Sequence, residues 1–332
     1  MVSITPWEQP VMPKLKRHTI ASLLAKGVRI DGRKLEQFRP VDITPGYIER
    51  AEGSALVKIG NTMVVAGVKM DLAEPFPDTP NEGILVVNAE FMPIASPYIE
   101  PGPPDENAIE LARIIDRSLR EMRVIPLDKL VIEPGKIVWR IYVDVYVLNH
   151  DGNVTDAAML AAMAALMAAR MPGLVKEGDE YKVDRTRYVG LLPVNHRVVS
   201  VTISKIENRL VVDPNYEEET IADVRLFIAV SEDGRIAGLQ KMGTGALTLA
   251  EIDKAINIAI NLSKYLLNVL EEKVGKYRAE LEKVFAEKKE IVIGGVPHTT
   301  SEVVVEGQPV ESSVEGVGTV AVENEGGKSR EE

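Results

Sequence analysis

The chain has 332 residues, a formal net charge of −11, 45% hydrophobic and 27% charged residues, and no cysteine. That length suits about two domains or one duplicated unit with a sizeable core, and it excludes a disordered, collagenous or fibrous chain. Without cysteine there is no disulfide framework, Cys-ligated zinc, iron–sulfur cluster or thiol nucleophile.

Taken in chain order, residues 1–14 hold three prolines and Trp7 without periodicity and read as an extended arm. Lys16 to Lys26 suits a short helix. Pro40 to Ile48 alternates loosely, and Gly53 to Ile59, the turn Gly60-Asn61 and Thr62 to Met70 read as a β-hairpin. Ala73 to Gly83 is a polar, proline-containing loop, Ile84 to Met92 a strand, and Pro93 to Pro104, with five prolines, an irregular connection. Asp105 to Met122 is the first clear helix, with Ile109, Ala112, Ile115, Leu119 and Met122 on one face. Ile137 to Leu148 is the clearest strand: Ile137, Trp139, Ile141, Val143, Val145 and Val147 alternate with Arg140, Tyr142, Asp144 and Tyr146. An Ala/Met-rich helix follows over 154–171, ended by Pro172-Gly173.

The second half repeats these ingredients. Val194 to Ile206 is a strand with Asn208 in a turn, and Ala222 to Val230 with Arg235 to Gln240 form a hairpin about Asp233-Gly234. A long helix runs from Thr248 to Lys289, with Thr248 and Glu251 placed as a capping box. Its stripe is Ile252, Ile256, Ala259, Leu266, Leu270, Val274, Tyr277 and Leu281. The expected division is an N-terminal arm (1–17), a first α/β subdomain (18–190), a second (191–290) and a disordered acidic tail (291–332). Residues 301–332 alone carry eight glutamates against Lys328 and Arg330. Gly326-Gly327-Lys328-Ser329 imitates a phosphate-binding loop without its first glycine or a preceding strand. No apolar run reaches the roughly 20 residues of a membrane span, and no signal peptide opens the sequence, so a cytoplasmic protein is expected.

A series of short motifs gives the sequence a more specific character. In order they are Arg29-Ile30-Asp31-Gly32-Arg33, Phe38-Arg39-Pro40-Val41, Glu52-Gly53-Ser54-Ala55-Leu56-Val57, Gly60-Asn61-Thr62, Asp144 to Leu148, Asp151-Gly152-Asn153, Ala222-Asp223-Val224, Gly234-Arg235-Ile236 and Gly243-Thr244-Gly245. From about His18 to Lys289 this series resembles the RNase PH family of phosphate-dependent 3′-to-5′ exoribonucleases. The resemblance implies an α+β fold of duplicated β-α units, ribosomal protein S5 domain 2-like, with mixed sheets packed against helices.

Members of that family that are active resemble Asp-Gly-Gly-Thr-Arg-Thr before the Ala-rich helix, where hydroxyl and arginine hold phosphate at a helix N-terminus. Here the stretch is Asp151-Gly152-Asn153-Val154-Thr155-Asp156, with Val154 at the hydroxyl position and Thr155 at the arginine position. Asp156 is expected to face the helix dipole. Active relatives also resemble Glu-Asp-Ser-x-Ala-Asp-x-Asp, and here Glu219 stands at the first acid and Arg225 at the second. An arginine cannot deliver a proton near neutral pH or bind a cation. Asp213, Glu217 and Glu218 read as a solvated acidic turn, the alternative being a relocated acid site.

These departures resemble one branch, the non-catalytic RNase PH-like subunit of the archaeal exosome. Asn107 to Arg113, Asp116-Arg117 and Leu130 to Lys136 look like that branch in particular. The resemblance implies a chain without catalytic residues, metal or cofactor. Its partners would be a catalytic RNase PH-like subunit in a hexameric ring, a trimer of heterodimers, together with RNA-binding cap subunits and single-stranded RNA. A self-sufficient phosphate-dependent exoribonuclease is the alternative. Arg113, Arg117 and Arg120 share one helix face, which by spacing alone reads as a solvated face with local pairs Glu110–Arg113, Asp116–Arg120 and Arg117–Glu121. The resemblance implies that Arg113 and Arg117 bind RNA phosphates and leaves Arg120 in its local pair. Lys14, Lys16, Arg17 and His18 form a second basic cluster, a solubilising arm or an RNA contact. Gly243-Thr244-Gly245 reads as a tight turn in preference to an anion cradle.

Overall fold

The structure is a computed structural model that describes residues 12–178 and 180–293. The acidic tail from residue 294, with the phosphate-loop look-alike, and the first eleven residues of the arm lie outside the described residues. The described residues up to 290 form one compact unit.

Helix α1 (Lys14–Ala25) begins two residues earlier than its spacing suggested. Strands β1 (Val41–Pro45), β2 (Gly53–Ile59), β3 (Thr62–Ala73), β4 (Ile84–Phe91), β5 (Val131–Glu133) and β6 (Ile137–Asn149) form one sheet in the order β1-β2-β3-β6-β4, with β5 beside β6. Ile59 pairs with Thr62 across the Gly60-Asn61 turn, as the hairpin reading requires. Strand β4 runs parallel to β6, and α2 (Glu106–Glu121) supplies part of the crossover that parallel pairing demands.

The second sheet is antiparallel, in the order β10-β9-β11-β12, from β9 (Val198–Ile206), β10 (Arg209–Val212), β11 (Val224–Ser231) and β12 (Ile236–Met242). Short helix α4 (Tyr216–Ile221) precedes β11, and α5 (Leu249–Leu270) starts at the Thr248–Glu251 capping box. A π turn over Glu271–Gly275 interrupts the long helix before α6 (Lys276–Ile293). The mixed α+β architecture agrees with expectation.

Helix α3 (Val154–Met167) is buried at every residue, packed against β2, β3 and β6 on one side and β9 on the other. Its Ala/Met composition explains this, because small side chains let both sheets approach. Helices α2 and α5 likewise touch strands of both sheets, so the core is a helical layer between two sheets.

Three expectations are corrected. The Ala-rich helix stops at Met167, and Pro172-Gly173 lies inside β7 (Arg170–Glu177), which pairs with β8 (Glu180–Leu191) in a two-stranded sheet. Proline is tolerated because this hairpin has no third strand and its register shifts at Pro172. On α2 the buried stripe is Ala108, Leu111, Ile114, Ile115, Ser118 and Leu119, while Ile109 is 52% exposed. On α5 Ala255 and Ile258 take buried positions assigned to Ile252 and Ile256.

Candidate functional site

The loop Asp151-Gly152-Asn153 leads from β6 into α3 and meets the start of α4. Gly152 has φ of 80°, and a Cβ there would lie 2.3 Å from the Asn215 carbonyl carbon. Only glycine supplies that conformation without a clash. Asn153 takes φ of 49° and ψ of 43°, the left-handed region that asparagine tolerates.

The first turn of α3 is filled by the chain's own polar groups. Asp156 is fully buried, and its carboxylate accepts from Ser200 Oγ (2.7 Å), Thr202 N (2.8 Å), Thr202 Oγ1 (2.9 Å) and Asn153 Nδ2 (2.8 Å). It therefore bolts α3 to β9 besides facing the dipole. Burial pushes its carboxyl up to about 6 against the pull of those four donors.

Asp213 is a second hub. It accepts from Arg39 N (2.8 Å), Arg39 Nε (2.9 Å), Arg39 Nη2 (2.7 Å), Arg33 Nη1 (2.8 Å) and Asn153 Nδ2 (2.7 Å). Burial alone would raise its carboxyl, but the Arg39 hydrogen bonds and charge hold it below the usual range. Glu218 forms a forked ion pair with Arg29, and both side chains are 0% exposed. The reading of Asp213 and Glu218 as solvated, or as a relocated acid site, is thus corrected: both are spent on arginines. Sequence order hid this, because the partner arginines lie 174–189 positions away.

Glu219 Oε2 accepts the Asn153 N–H at 2.7 Å, and Glu219 forms an ion pair with Arg225. Thr155 is itself buried and Val154 offers no hydroxyl. Burial first, then the charges of Arg225 and Arg39, lowers His150 to about 4, so its ring is neutral at pH 7. It stands edge-on to Tyr216, 5.3 Å between centroids.

Arg120 pairs with Asp116 (2.9 Å) and also donates to the Leu85 carbonyl. Glu110 accepts from Gln240 Nε2 (3.3 Å) instead of from Arg113. Arg113 and Arg117 are exposed, and neither has a hydrogen bond or ion pair among the described residues, so two of the three expected local pairs are not formed. A close approach holds this helix: a Cβ at Gly238 of β12 would lie 2.8 Å from Ser118 Oγ. In the N-terminal cluster, Lys16 pairs with Glu217 and Arg17 with Asp223 (3.5 Å). The Gly243 loop turns back on β11, with the Gly245 N–H donating to the Asp223 carbonyl (2.9 Å).

Among the described residues no group of three His, Cys, Asp or Glu side chains is placed to hold a metal, and no helix is long and apolar enough to cross a membrane.

Two models of the 3′ exoribonuclease family match the chain, domain 1 over residues 37–172 and domain 2 over residues 196–261. The chain belongs to the RNase PH family of 3′ exoribonucleases. Similar family members include the "Exosome complex component Rrp42" of Aeropyrum pernix, 53% identical over 274 residues that cover 82% of this chain and 99% of the relative. The protein of that name from Sulfurisphaera tokodaii is 50% identical over 273 residues, again 82% and 99%. Among solved structures, a chain of the Archaeoglobus fulgidus exosome with RNA bound to the active site aligns with a TM-score of 0.70 at 45% identity, covering 76% of this chain and 97% of that one. A chain of an archaeal exosome core gives 0.68 at 42%, covering 78% and 96%.

Within the family fold, the geometry separates two regions. The start of α3 is closed by Asp156, Glu219 and their partners. The outer face of α2 offers two cations with no internal claim on them among the described residues.

Proposed function

We propose that this chain is a ring subunit of an archaeal-type exosome, a phosphorolytic 3′-to-5′ exoribonuclease complex, and that it lends RNA-binding cations to a neighbour's active site while doing no chemistry itself. The ring holds three copies of this chain alternating with three of a catalytic RNase PH-like subunit, under cap subunits with RNA-binding domains, in the cytoplasm. The observation that carries the RNA-binding part is the contrast on α2: Arg120 is tied to Asp116 and Leu85, whereas Arg113 and Arg117 stand exposed and unpaired among the described residues. Unpaired guanidiniums have the geometry and permanent charge that phosphate oxygens call for. The absence of chemistry is supported by Val154, Thr155 and the Arg225–Glu219 pair, which leave no free acid or arginine at the start of α3 among the described residues.

The test is Arg113→Glu with Arg117→Glu in a ring reconstituted with the catalytic relative. RNA affinity and turnover should fall while the ring stays intact, and the salt dependence should become shallower. At roughly 0.7 counterion per single-strand phosphate contact, losing two contacts lowers the log–log slope by about 1.4. Identical salt curves for wild type and variant would refute the assignment. Separately, partner-free chain given RNA and inorganic phosphate should release no nucleoside diphosphate; release that depends on its own acids would establish a self-sufficient enzyme.

A further inference from the structure

Arg113 has two acids within helical reach, Glu110 three residues before it and Asp116 three residues after it. Side chains at that spacing are neighbours on a helix surface, so either carboxylate could close on the guanidinium. Neither does, and each is held elsewhere. Asp116 accepts from Arg120 Nε on both carboxylate oxygens, at 2.9 Å each. Glu110 is half-buried, and its Oε1 accepts from Gln240 Nε2 of β12 at 3.3 Å. A carboxylate only accepts, so the Gln240 amide must turn its nitrogen toward Glu110. Strand β12 is placed for this contact. Gly238 and Gln240 share one face of the strand, and at Gly238 the helix comes so close that a Cβ would lie 2.8 Å from Ser118 Oγ. A cation stands on the same face: Phe227 pairs with Gln240 and Arg225 with Met242 across β11 and β12. Burial lowers the Arg225 guanidinium below its ordinary value, and the nearby charge of Glu110 opposes that fall. The Glu110 carboxylate is therefore drawn toward the sheet by a hydrogen bond and by a charge.

We propose that Gln240 is a positioning residue for RNA binding: it holds the Glu110 carboxylate against β12 and so keeps Arg113 open to a phosphate of the RNA. The inference rests on the reading of Arg113 as an RNA contact and says what makes that contact available. A hydrogen bond to a charged group outweighs an exposed ion pair along a helix, so Glu110 stays turned inward while Gln240 is present. Without the amide, the carboxylate is free to swing to Arg113 and occupy the N–H groups that would otherwise fork onto a phosphate. RNA then has to displace an internal anion before it binds. Gln240 itself touches no RNA in this scheme and acts only through Glu110.

The experiment measures the affinity of a labelled single-stranded oligoadenylate for the ring reconstituted with the catalytic relative. Inorganic phosphate is left out so that the RNA is not consumed, and gel filtration checks that each ring is intact. Gln240→Met keeps the length of the side chain and cannot donate. It is made in three backgrounds: wild type, Glu110→Gln and Arg113→Ala. In the wild-type background it should weaken binding roughly twofold, about 0.4 kcal/mol, the scale of a helical ion pair. In the Glu110→Gln background the competing charge is gone, and in the Arg113→Ala background its target is gone, so in both the same change should cost nothing further. A purely structural Gln240 would lose affinity equally in all three. The proposal is overturned if intact Gln240→Met rings bind like wild type, or if the loss persists undiminished with Glu110→Gln or with Arg113→Ala. The two readings fail separately. Wild-type affinity in Arg113→Ala alone would remove the RNA contact itself, whereas a loss in Arg113→Ala beside no loss in Gln240→Met would remove only the positioning role.

Discussion

Asp156 makes an unusual forecast, because removing its charge should help. Its folded-state carboxyl is pushed from 3.8 up to about 6. A raised carboxylate value means that the native state binds a proton more readily than the unfolded chain. Near pH 7.5 the charged form therefore costs stability, by about 3 kcal/mol at 1.36 kcal/mol per unit. Asp156→Asn is close to the same shape without the charge. Its carbonyl oxygen can accept from Thr202 N and Asn153 Nδ2, which now serve Oδ2, while its amide donates to the Ser200 and Thr202 hydroxyls, which can turn to accept. The variant should be at least as stable as wild type at pH 7.5, with a ceiling near 3 kcal/mol. As pH falls from 6 toward 4, wild type takes up its proton and the gap should close. Asp156→Ala, by contrast, strands two N–H donors and opens a cavity, for a loss of about 2–5 kcal/mol. Urea unfolding of the three proteins at pH 7.5 and pH 5 is the assay. An asparagine variant several kcal/mol less stable, with a gap that does not move with pH, would show that the carboxylate is ionised at no cost and the reasoning is wrong.

The same geometry makes three further outcomes testable. Glu218→Gln leaves the fully buried Arg29 with half a partner and should cost about 3–5 kcal/mol in urea unfolding. Gly238→Val drives a side chain into Ser118, displacing α2 from β12; a loss of about 1–3 kcal/mol should come with weaker RNA binding by the ring, measured beside a thermal melt. Asp213 works opposite to Asp156: its carboxyl is held below 3.8, so its contribution is full above that value and is lost as pH falls through the folded value. Acid unfolding of Asp213→Asn should accordingly show a shallower loss below pH 4 than wild type.

Local signals made the first sheet legible. The Gly60-Asn61 turn fixed the β2–β3 register, strict alternation fixed β6, and the Thr248 and Glu251 pair marked the start of α5. The β7–β8 hairpin was illegible because Pro172-Gly173 after an Ala-rich run reads as a helix stop, and residues 176–187 carry charged side chains on both faces. The departures at Val154, Thr155 and Arg225 were visible residue by residue, but not the groups that fill their place. Asp213 and Glu218 read as parts of one acidic turn and Glu219 as the first acid of a motif, and only folding sorts them: one to Arg39, one to Arg29, one to the loop before α3. The motif arginines Arg29, Arg33 and Arg39 were legible as a signature, yet nothing local told that Arg29 and Arg39 pair with distant acids of the chain, or that Arg33 adds Asp213 to its neighbour Asp31. Arg113 and Arg117 were legible as a face, and their lack of local partners was not, since side-chain spacing permits pairs that the structure does not make.

Helix α3 also sets an order of events during synthesis. It is buried at every residue, and one of its walls is β9, whose first residue is 44 positions after the helix begins. A ribosome adding about 5–20 residues per second takes several seconds to deliver that wall and the Ser200 and Thr202 donors with it. Until then the nascent chain carries an apolar helix with one side open and Asp156 without its hydroxyl partners. The first half of the molecule cannot close its interior alone, so through this interval the growing chain keeps one apolar wall of α3 open to water.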